Sequence, residues 1–201
     1  MAQGAETAGL LDELPPLSRL AIAYAPAAAR PLWAALLALD ARLSRAVEAA
    51  SSPLIAQLKL AWWRDRMRTS AAQWPKGEPL LAALTSFDGE RAVLEALVDA
   101  WEGMVDEEPG EGAFDRLAEA RGGAVAALAR VLSSRADPQA IAALARQWTR
   151  PGAHTATPRL PRAPHLPRTL RPLLVLANLP RPDQAGPRAM LRIVRLGLFG
   201  R

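Results

Sequence analysis

The sequence predicts an all-α protein, and three observations lead to this fold class. Runs of β-branched residues and alternating apolar and polar segments, which would indicate strands, are nearly absent. Apolar residues instead recur at helical spacing along most of the chain. Half of the 201 residues are hydrophobic, which is enough for a chain of this length to bury a core as one domain.

Prolines and capping residues place the helices in order. The first is expected over 17–24 and the second over 30–49, with Pro31 in its first turn, where a missing N–H costs nothing. Ser52 caps a third helix that begins at Pro53 and extends to about residue 73. Further helices are expected at 78–86, at 89–107 with Asp88 as its cap, at 113–134, from Pro138 onward, at 168–179 and at 187–199.

Charge and proline content divide the chain into three parts. Residues 1–149, the predicted helical core, carry 15 Lys/Arg and 19 Asp/Glu, a net charge of −4. Residues 150–167 form a connector rich in Pro and Arg that cannot be regular, and 168–201 supply basic C-terminal helices of the same domain. Residues 150–201 contain ten arginines and one acid, a net charge of +9. An anionic partner is therefore expected at the C-terminal quarter.

Several classes of protein are excluded or disfavoured. The chain contains no cysteine, which excludes disulfides and thiolate metal sites. No basic apolar leader and no uncharged apolar span of 18 residues is evident, so we expect a cytoplasmic protein, with attachment to the inner face of a membrane as a further option. The arginines of 150–171 have no interleaved aromatic residue, which makes nucleic acid the least favoured partner.

The most distinctive motif is Trp62-Trp63-Arg64-Asp65 in the third helix. On a helical wheel this helix has two apolar stripes, which predicts that it packs between neighbours on both sides. The first stripe contains Leu54, Ile55, Leu58 and Trp62, and the second contains Ala56, Leu60, Trp63 and Met67. Asp65 points into the first stripe, where a carboxylate needs a partner or a function.

A second charge lies among apolar residues in the helix 113–134, where Arg121 falls within the stripe formed by Phe114, Leu117, Ala118, Val125, Leu128 and Leu132. Two interpretations stay open. Asp65 and Arg121 form one buried ion pair, or they are part of a polar patch at the floor of a pocket.

Two rows of polar and acidic residues could each be a ligand-binding site or a solvent-facing side of a helix. Asp40, Ser44 and Glu48 follow one another at i, i+4 and i+8 beside a buried stripe, and this line could bind a cation or a polar ligand. A half-solvated boundary strip is the favoured interpretation. In the helix 89–107 a row of four acids is more simply a solvated face than a metal site. These acids are Glu95, Asp99, Glu102 and Asp106.

The last helix is basic and amphipathic. Arg188, Arg192 and Arg195 occur at i, i+4 and i+7, with an apolar side made of Leu191, Val194 and Leu198. Such a helix can lie on an anionic membrane surface or bind a partner, and it can equally be the final helix packed on the core.

Several segments together resemble the squalene/phytoene synthase family. They are Tyr24 to Arg30, Leu36 to Asp40, Ser52-Pro53, Leu60 to Asp65, Trp101 to Asp106 and Phe114 to Leu128. The resemblance is closest to the divergent alphaproteobacterial branch, which includes a mitochondrial complex I assembly factor. It implies a truncated isoprenoid-synthase-like helical bundle, in which Arg30, Asp40, Glu48, Asp65 and Arg121 are candidate pocket or ligand-binding residues.

The resemblance also implies what this chain lacks. In the enzymes two aspartate-rich motifs hold Mg²⁺, which neutralises a departing diphosphate. The first motif falls on Ser44 to Glu48, where Glu48 is the one acid and Arg45 replaces a carboxylate, and the second has no counterpart. We therefore expect no catalytic residue, no metal and no cofactor, and a role as a lipid- or partner-binding factor near a membrane, such as in respiratory complex assembly.

The alternative is a reduced, Mg²⁺-dependent prenyl-diphosphate transferase that uses Asp40, Glu48 and Asp106. The partners considered are an isoprenoid-like lipid, a protein and an anionic membrane.

Overall fold

The computed structural model describes residues 9–106, 108–110, 112–149, 166–179 and 187–200, and it confirms the all-α fold class. The described residues form nine α-helices and no strand. The helices are α1 (Pro16–Ala23), α2 (Arg30–Glu48), α3 (Pro53–Arg68), α4 (Pro79–Leu84), α5 (Arg91–Glu102), α6 (Ala113–Val131), α7 (Pro138–Thr149), α8 (Arg171–Ala177) and α9 (Pro187–Phe199). The isoprenoid-synthase-like assignment stays a prediction.

Helix α2 lies at the centre and packs against α1, α3, α4, α5 and α6. Its alanines and leucines are buried on nearly all sides, as expected for a helix surrounded by neighbours. Trp33 is fully buried, and its indole N–H donates to the carbonyl oxygen of Thr169 at 2.7 Å. This bond connects the N-terminal part of α2 to the turn before α8, and one apolar core extends from Leu10 to Leu196.

The predicted starts of the helices are more accurate than the predicted ends. Helix α3 begins at Pro53 with Ser52 as its cap, yet it ends at Arg68, because Thr69 has extended backbone. The carbonyl oxygen of Arg66 accepts from the Trp74 indole at 2.7 Å, so that a tertiary contact satisfies the freed end. Asp88 does not cap a helix over 89–107, because it binds the backbone N–H of Ala71 at 2.7 Å, and α5 begins only at Arg91.

The expectation that α3 is enclosed on both sides is wrong. Helices α2 and α5 both pack against its second stripe, which is buried through Ala56, Leu60, Trp63 and Met67. None of the described elements covers the first stripe, which is exposed: Leu54 by 63%, Leu58 by 59%, Trp62 by 40% and Ile55 by 38%.

The Pro/Arg-rich connector, including Arg150, Arg159 and Arg162, lies outside the described residues apart from its last two positions. No helix within the described ranges has the length and apolarity needed to cross a membrane.

Candidate functional site

Asp40 and Arg121 form a polar junction inside the helical bundle. The guanidinium of Arg121 donates through Nε to Asp40 Oδ1 at 3.0 Å and through Nη2 to Oδ2 at 2.9 Å. The indole N–H of Trp101 donates to Oδ1 at 2.9 Å. Asp40 is only 7% exposed, so this pairing compensates the loss of solvent around its charge.

Two tryptophans and a threonine complete the junction. The Arg121 guanidinium carbon lies 5.2 Å from the ring centroid of Trp101 and 4.5 Å from that of Trp148, within cation–π range. Its Nη1 donates to the hydroxyl of Thr149 at 3.3 Å. The cluster therefore joins α2, α5, α6 and α7, and its polar groups are engaged with one another.

The predicted pair of Asp65 with Arg121 is wrong. Asp65 is exposed, because the stripe of α3 in which it lies faces outward. The true partner of Arg121 is Asp40, which the sequence pattern placed on a half-solvated boundary strip of its helix. The interpretation of Arg121 as an inward charge is correct.

The remaining candidate pocket residues do not converge on this junction. Arg30 is exposed and donates to the carbonyl oxygens of Ala25 at 3.0 Å and Ala23 at 3.2 Å, where α1 ends. Glu48 is exposed and accepts from the Ser44 hydroxyl at 2.5 Å. On α2, Arg30 and Glu48 lie about 15 and 12 Å along the axis from Asp40. No group of three or more His, Asp or Glu side chains in the described residues is arranged to hold a metal ion.

The acidic row of α5 pairs with arginines that sequence reasoning did not connect to it. Arg64 donates to Asp99 at 2.6 Å and to Glu102 at 2.5 Å, and Arg68 donates to Glu95 at 2.6 Å. The pKa of Arg64 is raised, chiefly by its hydrogen bond to Asp99. These pairs lie at the edge of the contact between α3 and α5. Arg64, the arginine of the Trp-Trp-Arg-Asp motif, therefore has a structural role.

A groove of about 450 Å³ lies between the C-terminal half of α2 and the middle of α3. Its apolar walls are Trp62, Trp63, Ala46 and Ala49, and its cations are Arg42, Arg45 and Lys59. The two indoles meet edge to face, with ring centroids 4.9 Å apart. The groove therefore combines aromatic surface with positive charge, a composition suited to a ligand that has an apolar part and an acid.

The cations of the groove outnumber their carboxylates. Arg42 binds Glu13 through two bonds of 2.8 and 2.9 Å and Glu78 through one of 2.6 Å. The hydrogen bond from Arg42 lowers the pKa of Glu13 and raises that of Arg42. Arg45 reaches the same Glu13 at 3.3 Å. Within the described part of the chain no carboxylate lies at ion-pair distance from Lys59, so that two of the three cations share two carboxylates and the third has none.

Helix α9 packs on the core and still exposes apolar residues. Ile193 and Leu196 are buried. At Gly197 a Cβ would lie 2.3 to 2.5 Å from atoms of the Tyr24 ring, which shows how closely the helix approaches α1. Arg171 donates to the carbonyl oxygen of Gly197 at 3.2 Å and also to that of Leu198, and so caps the C-terminal end.

The outward side of α9 is both apolar and basic. Leu191 is 70% exposed, Leu198 52% and Phe199 64%, and Arg195 is exposed beside them. The side chains of Arg188 and Arg192 lie outside the described residues, although their backbone belongs to the helix. Of the predicted apolar side, Leu191 and Leu198 are thus exposed and Val194 is half-buried, because Ile193 and Leu196, on the opposite side, fill the core contact.

Sequence reasoning missed the groove, although two of its cations stand out in the sequence. Lys59 is a cation between two apolar residues of the same helix, Leu58 and Leu60, and Arg45 stands where the resembled family has an acid. Neither feature predicts that α2 and α3 bring the two cations together.

Compared with known proteins, the chain matches no family model, no curated protein and no solved structure.

Proposed function

We propose that this protein is a non-catalytic binding factor that attaches reversibly to an anionic membrane surface and serves a lipid or protein partner there. The observation that carries the proposal is the outward side of α9, where Leu191, Leu198 and Phe199 are more than half exposed beside Arg195. The resemblance of several sequence segments to the branch of the squalene/phytoene synthase family that includes an assembly factor is the reason for proposing a role near a membrane, in assembly of a respiratory complex.

Helix α9 has the features of an interfacial helix. Large apolar side chains on its open side can enter the boundary between headgroups and acyl chains, and arginines beside them can bind lipid phosphates. An Arg near an anionic surface contributes about 1 kcal/mol, or roughly fivefold in partitioning. The ten arginines of residues 150–201 strengthen this attraction. Two signals, apolar and basic, are what stable but reversible attachment requires.

Metal-dependent prenyl transfer receives little support from the acids that it would use. Mg²⁺ prefers several carboxylate oxygens around one point. Both oxygens of Asp40 already accept bonds from Arg121, and one also accepts from Trp101. Glu48 and Asp106 are exposed, and Glu48 lies about 12 Å along α2 from Asp40. These three residues do not fit a shared magnesium site.

Vesicle sedimentation tests the membrane proposal. The whole chain is mixed with vesicles of phosphatidylcholine alone or with added phosphatidylglycerol, and the bound fraction is measured. We expect binding to the anionic vesicles, loss of binding in high salt, and a decrease of more than about tenfold for Phe199→Glu, which removes apolar area that the membrane would bury. Phe114→Glu, at a 43% exposed position on α6, is the matched control and should bind normally.

Equal binding of both variants, or no preference for anionic vesicles, would overturn the proposal. The transferase alternative is tested separately by thermal unfolding with farnesyl diphosphate. A rise in Tm that requires Mg²⁺ and that disappears in Asp106→Asn would favour the enzyme, whereas we expect no Mg²⁺-dependent rise.

A further inference from the structure

The exposed stripe of α3 and the groove beside it form a continuous surface that includes no residue of α9. We propose that this surface docks an amphipathic helix of a partner protein, and that Lys59 and Arg45 bind an acidic side chain of that helix. The inference rests on the proposed role as a binding factor and adds to it the chemistry of the partner.

The apolar part of the surface has the spacing of a helix-binding face. Leu54, Leu58 and Trp62 recur at i, i+4 and i+8 and are 63, 59 and 40% exposed, and Ile55 adjoins them. The stripe extends over about 12 Å, or two helical turns. Four large apolar side chains in one exposed patch indicate an interaction site, whereas single exposed ones do not. A partner helix with apolar residues at the same spacing can cover this stripe.

The groove offers a place for an anchoring side chain. Trp63, 7% exposed, and Ala46 line the groove, and the more exposed Trp62 belongs both to the groove and to the stripe. The small side chains of Ala46 and Ala49 leave the volume of about 450 Å³ open. Binding energy in protein interfaces concentrates where a large side chain fills such a pocket, and aromatic residues are the usual contributors.

The charges select an acidic partner. Lys59 is exposed and has no carboxylate at ion-pair distance in the described part of the chain, and Arg45, 48% exposed, shares Glu13 with Arg42. An acid from a partner would balance the surplus cation. Asp65 lies at the far end of the stripe, about 9 Å along the axis from Lys59, and it too has no described ion-pair partner. A basic residue of the partner opposite Asp65 would fix the direction in which its helix lies.

Two other occupants fit less well. A second copy of this chain that is paired through Leu58 in antiparallel fashion would bring the two Lys59 side chains close together, and like charges repel. A lipid would be enclosed by a concave site, whereas the stripe is the outer side of a single helix and the groove covers only one end of it.

A display library provides the probe. Its members are helical peptides about 18 residues long, or five turns, with leucines fixed on one face and flanking positions varied among Glu, Lys, Gln and Ala. The full chain is used for selection. The selected peptides are then measured by fluorescence anisotropy against the wild type, Leu58→Glu, Lys59→Glu and the matched control Leu17→Glu, which is on α1 and 39% exposed in the wild type.

We expect selected peptides to carry Glu beside the leucine stripe. Their Kd should increase by roughly tenfold or more in Leu58→Glu and in Lys59→Glu and should stay unchanged in Leu17→Glu. Replacing the critical Glu of the peptide by Lys should weaken binding to the wild type and restore binding to Lys59→Glu. All four proteins are first compared by thermal unfolding, and Lys59→Gln replaces Lys59→Glu if the latter is unstable.

Four results would overturn the inference. They are a failure to select any peptide, selected peptides without acidic preference, equal loss of affinity in Leu17→Glu, and a wild-type dimer that Leu58→Glu converts to a monomer. Vesicle binding that is lost in Leu58→Glu would assign the stripe to lipid instead. If the wild type binds vesicles normally but no peptide is selected, this inference alone is refuted and the proposed function is left intact.

Discussion

The carboxylate of Asp40 and the guanidinium of Arg121, 81 residues apart in the chain, form two parallel hydrogen bonds of 3.0 and 2.9 Å inside the helical bundle. The pair connects α2 to α6. It also engages both oxygens of Asp40, one of the acids that a magnesium site would need, in hydrogen bonds to Arg121.

Removal of one partner of this pair should be strongly destabilising. We expect Asp40→Ala or Arg121→Ala to lower the free energy of unfolding by about 3–5 kcal/mol, because the other charge stays buried without its partner. The double variant Asp40→Ala/Arg121→Ala should be more stable than the sum of the single changes indicates, because neither charge is then left without its partner. Denaturant unfolding of the four proteins provides the measurement.

Asp65→Ala is the control for this cycle, since Asp65 is exposed. It should change the free energy of unfolding by less than about 0.5 kcal/mol and should show additivity with Arg121→Ala. Additive effects of the Asp40 and Arg121 changes, or coupling between Asp65 and Arg121, would contradict the structure.

The pair of Glu13 and Arg42 predicts a dependence of stability on pH. The Arg42 hydrogen bond lowers the pKa of Glu13 below its ordinary 4.5 in the folded state. A carboxyl whose pKa is lowered in the folded state stabilises the protein at pH values above its unfolded-state pKa. This contribution is lost as the pH falls through the folded-state pKa. Stability should therefore decrease as the solution is acidified from about pH 5.

Glu13→Gln should flatten this acid decrease and should cost no more than about 1 kcal/mol at neutral pH, because the pair is partly solvated. Glu119→Gln, at an exposed position on α6 that takes part in no described ion pair, is the control. Chemical unfolding at a series of pH values gives both curves. An unchanged slope for Glu13→Gln would show that the pair does not contribute.

The contact of Gly197 with Tyr24 predicts an unusual effect of alanine in a helix. Alanine normally favours a helix over glycine by about 1 kcal/mol. Here its Cβ would lie 2.3 to 2.5 Å from the Tyr24 ring, so we expect Gly197→Ala to destabilise the docking of α9 by about 1–3 kcal/mol. Hydrogen exchange of the backbone amides in α9 should become faster.

Two further variants make this test specific. Tyr24→Ala in the Gly197→Ala background should restore slow exchange, because it removes the clashing ring. Gly89→Ala should be close to neutral, since a Cβ there meets no atom within 4 Å. Slower exchange in Gly197→Ala alone would mean that α9 does not approach Tyr24 as described.

Individual residues explain how far the sequence predicts the fold. Local signals such as Ser52 before Pro53 place a helix start, because a cap depends on neighbouring residues alone. Asp88 has the same local appearance, yet it binds Ala71, a tertiary contact that no local pattern contains. The end of α3 is mispredicted for a similar reason, because the Arg66 carbonyl oxygen accepts from the side chain of Trp74, eight residues later and beyond the helix.

The candidate site is less predictable for a related reason. Both apolar stripes of α3 look alike in the sequence, and only the packing of α2 and α5 decides that Trp63 is buried and Leu58 exposed. Arg121 can be identified as an inward charge from its own helix. Its partner Asp40 cannot, because the choice between Asp40 and Asp65 depends on how the helices are arranged.

A site-specific label tests the central claim, attachment to a membrane through α9, most directly. The chain contains no cysteine, so a single cysteine at Leu198 can carry an environment-sensitive NBD fluorophore, and one at Phe114 provides the control. With phosphatidylglycerol vesicles, we predict that the emission of the label at residue 198 shifts to the blue and brightens, while that at residue 114 is unchanged. No change at residue 198, or the same change at both positions, would contradict the account.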